Sequence, residues 1–175
     1  ARGWPRSSET SKTAATLLDH SGAVNTSNPT DPTARIRPLR TPSSLPNPTV
    51  WLTLQAHDAP ALIDYLVNTF GFVLSARYDD GEQVAHAQLL WPEGTGGVML
   101  GSYQPGAQWC REPGTAGGYV VTADPDALYR RVIDRGAEVV RPLAGTDYGA
   151  NEFAVRDPEG NLWSFGDYSG EPSSP

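Results

Sequence analysis

The pattern of apolar and polar positions changes at residue 48. Before it Ser, Thr, Pro, Asn, Ala and Arg dominate, with Leu17-Leu18 the one pair of large aliphatics. Such a composition cannot bury enough surface to offset its ordering entropy. Residues 1–47 therefore read as an extended, low-complexity tail. From there the pattern predicts a strand over Val50–His57 and a helix capped by Asp58, with Pro60 in its first turn. Ala61, Leu62, Tyr65, Leu66 and Phe70 recur at helical spacing, and Gly71 ends the run. Strands follow over Phe72–Tyr78, Val84–Leu90 and Gly97–Tyr103, the first two joined by a hairpin turn at Asp79-Asp80-Gly81.

A Gly- and Pro-rich linker, 104–116, separates this half from the next. The order then recurs. A strand runs to Ala123, and Asp124-Pro125 opens a helix with apolar positions Ala127, Leu128, Val132 and Ile133. Gly136 ends it, and a strand over Glu138–Leu143 leads to a turn at Thr146–Gly149. A closing hairpin pairs Glu152–Arg156 with the bulky run from Leu162, across the turn Asp157-Pro158-Glu159-Gly160. Residues 171–175 are a short polar end.

The two halves match at a spacing of sixty-six residues. Asp58, Ala61 and Leu62 fall on Asp124, Ala127 and Leu128, and Pro92-Glu93-Gly94 falls on Pro158-Glu159-Gly160. After a one-residue slip Met99 to Tyr103 falls on Ser164 to Tyr168. A fixed internal period is one supersecondary unit used twice. Each copy is βαβββ, over 49–103 and 117–168, inside a single α+β domain spanning 48–170.

Charge divides at the same boundary. The chain's net charge is −7; residues 1–47 carry six basic and three acidic groups, and residues 48–175 carry seven and seventeen. An acidic globular part argues against nucleic-acid binding, which needs a basic face. Arg35, Arg37 and Arg40 in the tail read either as a solvated linker or as an arm for nucleic acid or an acidic partner. Cys110 is the only cysteine, which excludes an internal disulfide and a thiolate metal site. No stretch approaches a membrane span, and Thr13–Leu18 is too short for the apolar core of an export signal. A cytoplasmic protein with no membrane partner is expected.

Three stretches carry a resemblance: Asp58-Ala-Pro-Ala-Leu-Ile-Asp-Tyr with Phe70-Gly71-Phe72, Asp124-Pro-Asp-Ala-Leu with Gly136-Ala137, and Asp157-Pro-Glu-Gly-Asn-Leu-Trp. With the paired βαβββ units they make the chain similar to the vicinal oxygen chelate superfamily, the glyoxalase, bleomycin-resistance and extradiol dioxygenase group, in its uncharacterised glyoxalase-like branch. The resemblance implies curved mixed sheets around a cavity, with helices outside. It also implies one divalent metal held from four strands. Carried onto this sequence, the metal positions are Trp51, Met99, Gly117 and Ser164. Trp and Gly offer no ligand, Met a soft thioether and Ser a weak hydroxyl, so no metal cofactor is expected. A small-molecule-binding protein, as in the bleomycin-resistance branch, is the leading expectation. A glyoxalase-like enzyme, metal-free or with one divalent metal on displaced ligands, is the alternative. The resemblance further implies a homodimer.

Strand alternation selects the cavity side. Trp51, Thr53 and Gln55 share one face of the first strand. Ala85, Ala87 and Leu89 suit packing under the helix, which leaves His86 and Gln88 for the cavity. Phe153 and Val155 likewise leave Glu152. His86 and Glu152 occupy equivalent repeat positions and read either as an acid/base pair or as a half-exposed strand residue and a solvated turn residue. With Gln88 they are also the displaced metal set. Trp109 and Tyr148 either cap a core or line a cleft, and Met99, Tyr119 and Ser164 complete the candidate wall. Aromatic faces, a thioether and an acidic domain together predict a ligand with an aromatic body, neutral or cationic.

Overall fold

The computed structural model describes residues 48–171. The predicted tail, 1–47 with its arginine cluster, and the end of the polar C-terminal stretch lie outside the described residues. The architecture is two βαβββ repeats. The first contains β1 (Val50–Ala56), α1 (Ala59–Tyr65), β2 (Val73–Asp80), β3 (Gln83–Leu90) and β4 (Gly96–Ser102). The second contains β5 (Gly117–Val121), α2 (Pro125–Asp134), β6 (Glu138–Gly145), β7 (Asn151–Arg156) and β8 (Leu162–Gly166). Each repeat forms a mixed four-stranded sheet, ordered β1-β4-β3-β2 and β5-β8-β7-β6. The hairpins are antiparallel, and the last strand of each returns parallel to the first.

The register reproduces the sequence repeat, slip included. Thr53 stands opposite Met99 as Tyr119 stands opposite Ser164, and Gln88 opposite Met99 as Ala154 opposite Ser164. Both helices start as expected. The Asp58 carboxylate accepts from Ala61 N at 3.0 Å and that of Asp124 from Ala127 N at 2.8 Å, each satisfying a free first-turn donor. Gly71, at φ 96°, ends the first helix where a side chain would be strained.

Several details differ from the expectation. α1 widens into a π-helical turn over Leu66–Phe70. That turn keeps Leu66, Thr69 and Phe70 all buried, while Ala61 faces solvent. In α2 the buried residues are Pro125, Leu128 and Val132; Ala127 and Ile133 are exposed. The β2–β3 turn is centred on Gly81 and Glu82, because β2 continues to Asp80. In β3, Ala85 is exposed and Val84 takes its place in the core. The register jumps from Tyr78↔His86 to Asp79↔Val84, so Ala85 is the extra residue of a bulge that turns Val84 inward.

One core serves both repeats. Phe70 at the end of the first helix packs on Phe165 and Trp163 of the second sheet, and Phe72 packs on Trp91 and Trp163. Leu54, Leu62, Leu89, Val98, Val132 and Phe153 complete the buried set. The duplicated Pro-Glu-Gly turns then tie the repeats together reciprocally. Glu159 of the second accepts from Asp58 N at 2.7 Å, and Glu93 of the first accepts from Ala123 N at 2.7 Å and Thr122 Oγ1 at 3.1 Å. Each carboxylate meets the start of the other repeat's helix, where the helix dipole favours negative charge.

Candidate functional site

The face of each sheet turned away from the core carries the residues selected from sequence. On β1, Trp51, Thr53 and Gln55 alternate with core-side Leu52, Leu54 and Ala56. The pairings Thr53↔Met99, Gln88↔Met99 and Tyr78↔His86 extend that face across the first sheet. Trp51 is half-buried because its indole lies over Gly97; a Cβ there would also come within 2.9 Å of Leu89 O. The His86 ring stacks on Tyr78, with centroids 6.4 Å apart, and its Nε2 lies 3.1 Å from Gln88 Nε2. Gln55 Nε2 donates to the Trp109 carbonyl at 3.3 Å, while Gln55 Oε1 is buried without a partner. The Trp109 side chain is 80% exposed and caps no core.

The second sheet's outward face holds the denser chemistry. Glu152 is only 5% exposed, not the solvated residue that its place after a turn allowed. Its Oε1 accepts from Tyr148 Oη at 2.8 Å and Tyr119 Oη at 3.0 Å. Its Oε2 accepts from Arg141 Nη2 at 2.9 Å, and Nη2 also donates to Ser164 Oγ at 3.1 Å. Gly166 makes the cluster possible, since a Cβ would sit 2.5 Å from Tyr119 Oη and 2.7 Å from Glu152 Cγ.

Burial raises the Glu152 pKa, but hydrogen bonds from Tyr148, Tyr119 and Arg141 outweigh it and hold the carboxyl below its usual range. Burial, and then the bond to Glu152, pushes Tyr119 up to about 12. The bond to Glu152 raises Tyr148 as well. The carboxylate is thus ionised and held by three donors, and both phenols stay protonated at neutral pH. A carboxylate with a depressed pKa that already accepts from three donors is poorly suited to take a proton from substrate.

The structure brings Glu152 together with Tyr119, Tyr148, Arg141 and Ser164, and His86 with Tyr78 and Gln88. Arg141 was not selected from the sequence; alternation counted from Val139, which pairs with buried Val155, would put it on the core side. A register shift after Val139 sets it opposite Ala154 instead, on the Glu152 face. The sequence signal was Pro142 beside it, since proline inside a strand marks an edge or a bulge.

Among the described residues no group of three or more His, Cys, Asp or Glu is placed to hold a metal ion. The implied metal positions do not fit one either: Trp51 is seated on Gly97, Gly117 has no side chain, and Ser164 receives the Arg141 bond. A crevice of about 390 Å³ opens elsewhere, between the repeats, over Leu52, Phe72, Trp91 and Trp163. Of the residues selected from sequence, Tyr119 lines it. Also among the described residues, no helix is long and apolar enough to cross a membrane.

Residues 49–165 match the model of the Glyoxalase/Bleomycin resistance protein/Dioxygenase superfamily. An uncharacterised protein of Mycobacterium bovis (strain ATCC BAA-935 / AF2122/97) is 35% identical over 124 residues, 65% of this chain and 78% of that one. Among solved structures, TioX from Micromonospora sp. ML1 superposes with a TM-score of 0.58 at 32% identity, covering 67% of this chain and 95% of its own. TnmS3, an antibiotic binding protein from Streptomyces sp. CB03234, superposes at 0.54 with 23% identity, over 66% and 90% of the two chains, a likeness of fold alone.

Proposed function

The chain belongs to the glyoxalase/bleomycin resistance protein/dioxygenase superfamily, and on that premise we propose that it binds a small organic molecule on the outward faces of its sheets, without the superfamily's metal. The observation that carries this reading is the chemistry at the four positions that hold metal in the enzymes. Trp51, Met99, Gly117 and Ser164 offer an aromatic face, a thioether, an open backbone and a hydroxyl, which suit an organic body better than a cation. Glu152, with its lowered pKa and three donors, supports binding over acid/base turnover.

The test is a thermal-shift and tryptophan-quenching screen of aromatic compounds, with elemental analysis and turnover assays on aldehydes, thiol conjugates and diols. Ligand shifts that weaken in Trp51→Ala, with no stoichiometric metal and no turnover, are expected. About one zinc, nickel or iron per chain, or turnover lost in His86→Ala, would establish the enzyme reading instead.

Among the described residues the faces are open: Thr53, Tyr119, Arg141 and Tyr148 are exposed, as are the aliphatic Val50 and Val121 on the edge strands β1 and β5. A site that buries most of a ligand needs a cover. We assign that cover to a second copy, in a twofold dimer. Light scattering at micromolar concentration should give twice the 18.8 kDa chain mass; a monomer mass in the presence of a bound ligand would refute the assignment.

A further inference from the structure

The donors and acceptors around Glu152 say which end of a ligand this face would recognise. Tyr119 and Tyr148 both turn their hydroxyl hydrogens onto the buried carboxylate. Ser164 turns its own toward Phe153 O, at 3.4 Å. Arg141 Nη2 spends its two hydrogens on Glu152 and Ser164. What remains on offer is the rest of the guanidinium: the N–H groups of Nη1 and Nε have no partner among the described residues, and the side chain is 51% exposed. The flanking rings of Tyr119 and Tyr148 are 43% and 60% exposed.

We infer that the second repeat's outward face recognises a carboxylate on an aromatic ligand, with Arg141 as the donor and Glu152 as the buried group that holds the guanidinium in place. This rests on the binding reading above and adds the ligand's polar end to it. Arg141 is oriented before any ligand arrives, so less conformational freedom is lost on binding. Guanidinium–carboxylate bonds are charge-assisted and roughly twice as strong as neutral ones. Glu152 leaves the cluster near neutral, yet its charge lies below Arg141 and the free N–H groups lie above. A cationic ligand therefore meets the guanidinium first. The acidic domain favours cations only at long range, and physiological salt screens that field within about 8 Å.

The experiment compares 2-naphthoate, 2-naphthalenemethanol and 2-naphthylmethylammonium by calorimetry on the full chain and on Arg141→Gln and Arg141→Lys. The expected order in the wild type is naphthoate, then the alcohol, then the ammonium. Arg141→Gln should weaken naphthoate about tenfold more than it weakens the alcohol, and Lys should restore part of that difference. Melting curves check that the variants fold. Should Arg141→Gln not fold, the wild-type order and its weakening in high salt decide the matter. Equal affinities across the set, ammonium binding tightest, or naphthoate indifferent to Arg141→Gln overturns the inference and leaves the binding reading standing. Failure of all three compounds to bind overturns both.

Discussion

Asp157→Ala is expected to destabilise the protein by about 3–4 kcal/mol, the sum of several orphaned buried donors. Asp157 is 3% exposed at the turn before β8. Its Oδ1 accepts from Glu159 N at 3.0 Å and Asn161 N at 2.9 Å, and its Oδ2 accepts from Asn161 Nδ2 and Trp163 Nε1, both at 2.9 Å. Asn161 and Trp163 are themselves buried, so water cannot replace the lost acceptor at three of these bonds. The consequence reaches the core. Trp163 packs on Phe70 and Phe72, and its indole is aimed by the Asp157 bond. Asp157→Asn keeps one acceptor oxygen and should cost about half as much. Urea unfolding measures both; a loss under about 1 kcal/mol for alanine would mean that the donors find other partners.

Glu152→Ala should cost about 2 kcal/mol at pH 7, less than Asp157→Ala because Arg141, Tyr119 and Tyr148 are exposed enough to turn to water. Its distinguishing feature is pH dependence. The folded-state pKa of Glu152 is held below its ordinary value. A group of that kind contributes stability that is fully present above its unfolded pKa, about 4.3, and is lost as pH falls through the folded value. Wild type should therefore lose stability on acidification faster than Glu152→Ala, and the two should converge below pH 4.3. Unfolding curves taken at pH 7, 5, 4 and 3 test this. A difference that stays constant across the series would mean that the side chain contributes by packing and not as a carboxylate.

Local rules carried far along this chain. Both N-caps, the helix-ending Gly71, the outward set Trp51, Thr53, Gln55, Gln88 and Met99, and the slip in the repeat all follow from short-range spacing. Where alternation failed, at Ala85 and at Arg141, a bulge or register shift had changed the phase of the strand. Alternation assumes an unbroken ladder, and one extra residue reverses every face beyond it.

Alternation also placed Glu152 on the right face but could not say what surrounds it. A carboxylate after a turn is ordinarily solvated. Its burial here depends on Tyr119, 33 residues away, on Arg141 and on the missing Cβ of Gly166. The same holds for the duplicated Pro-Glu-Gly turns, whose glutamates reach helix starts 101 and 30 residues distant. By itself the sequence determined the βαβββ repeat and the faces of the strands with unbroken ladders, because caps, turns and alternation act between near neighbours. Only the tertiary structure decided that Glu152 is buried with three donors on it and that Arg141 is its exposed partner, because charge compensation depends on which distant groups the fold brings within three ångströms of each other.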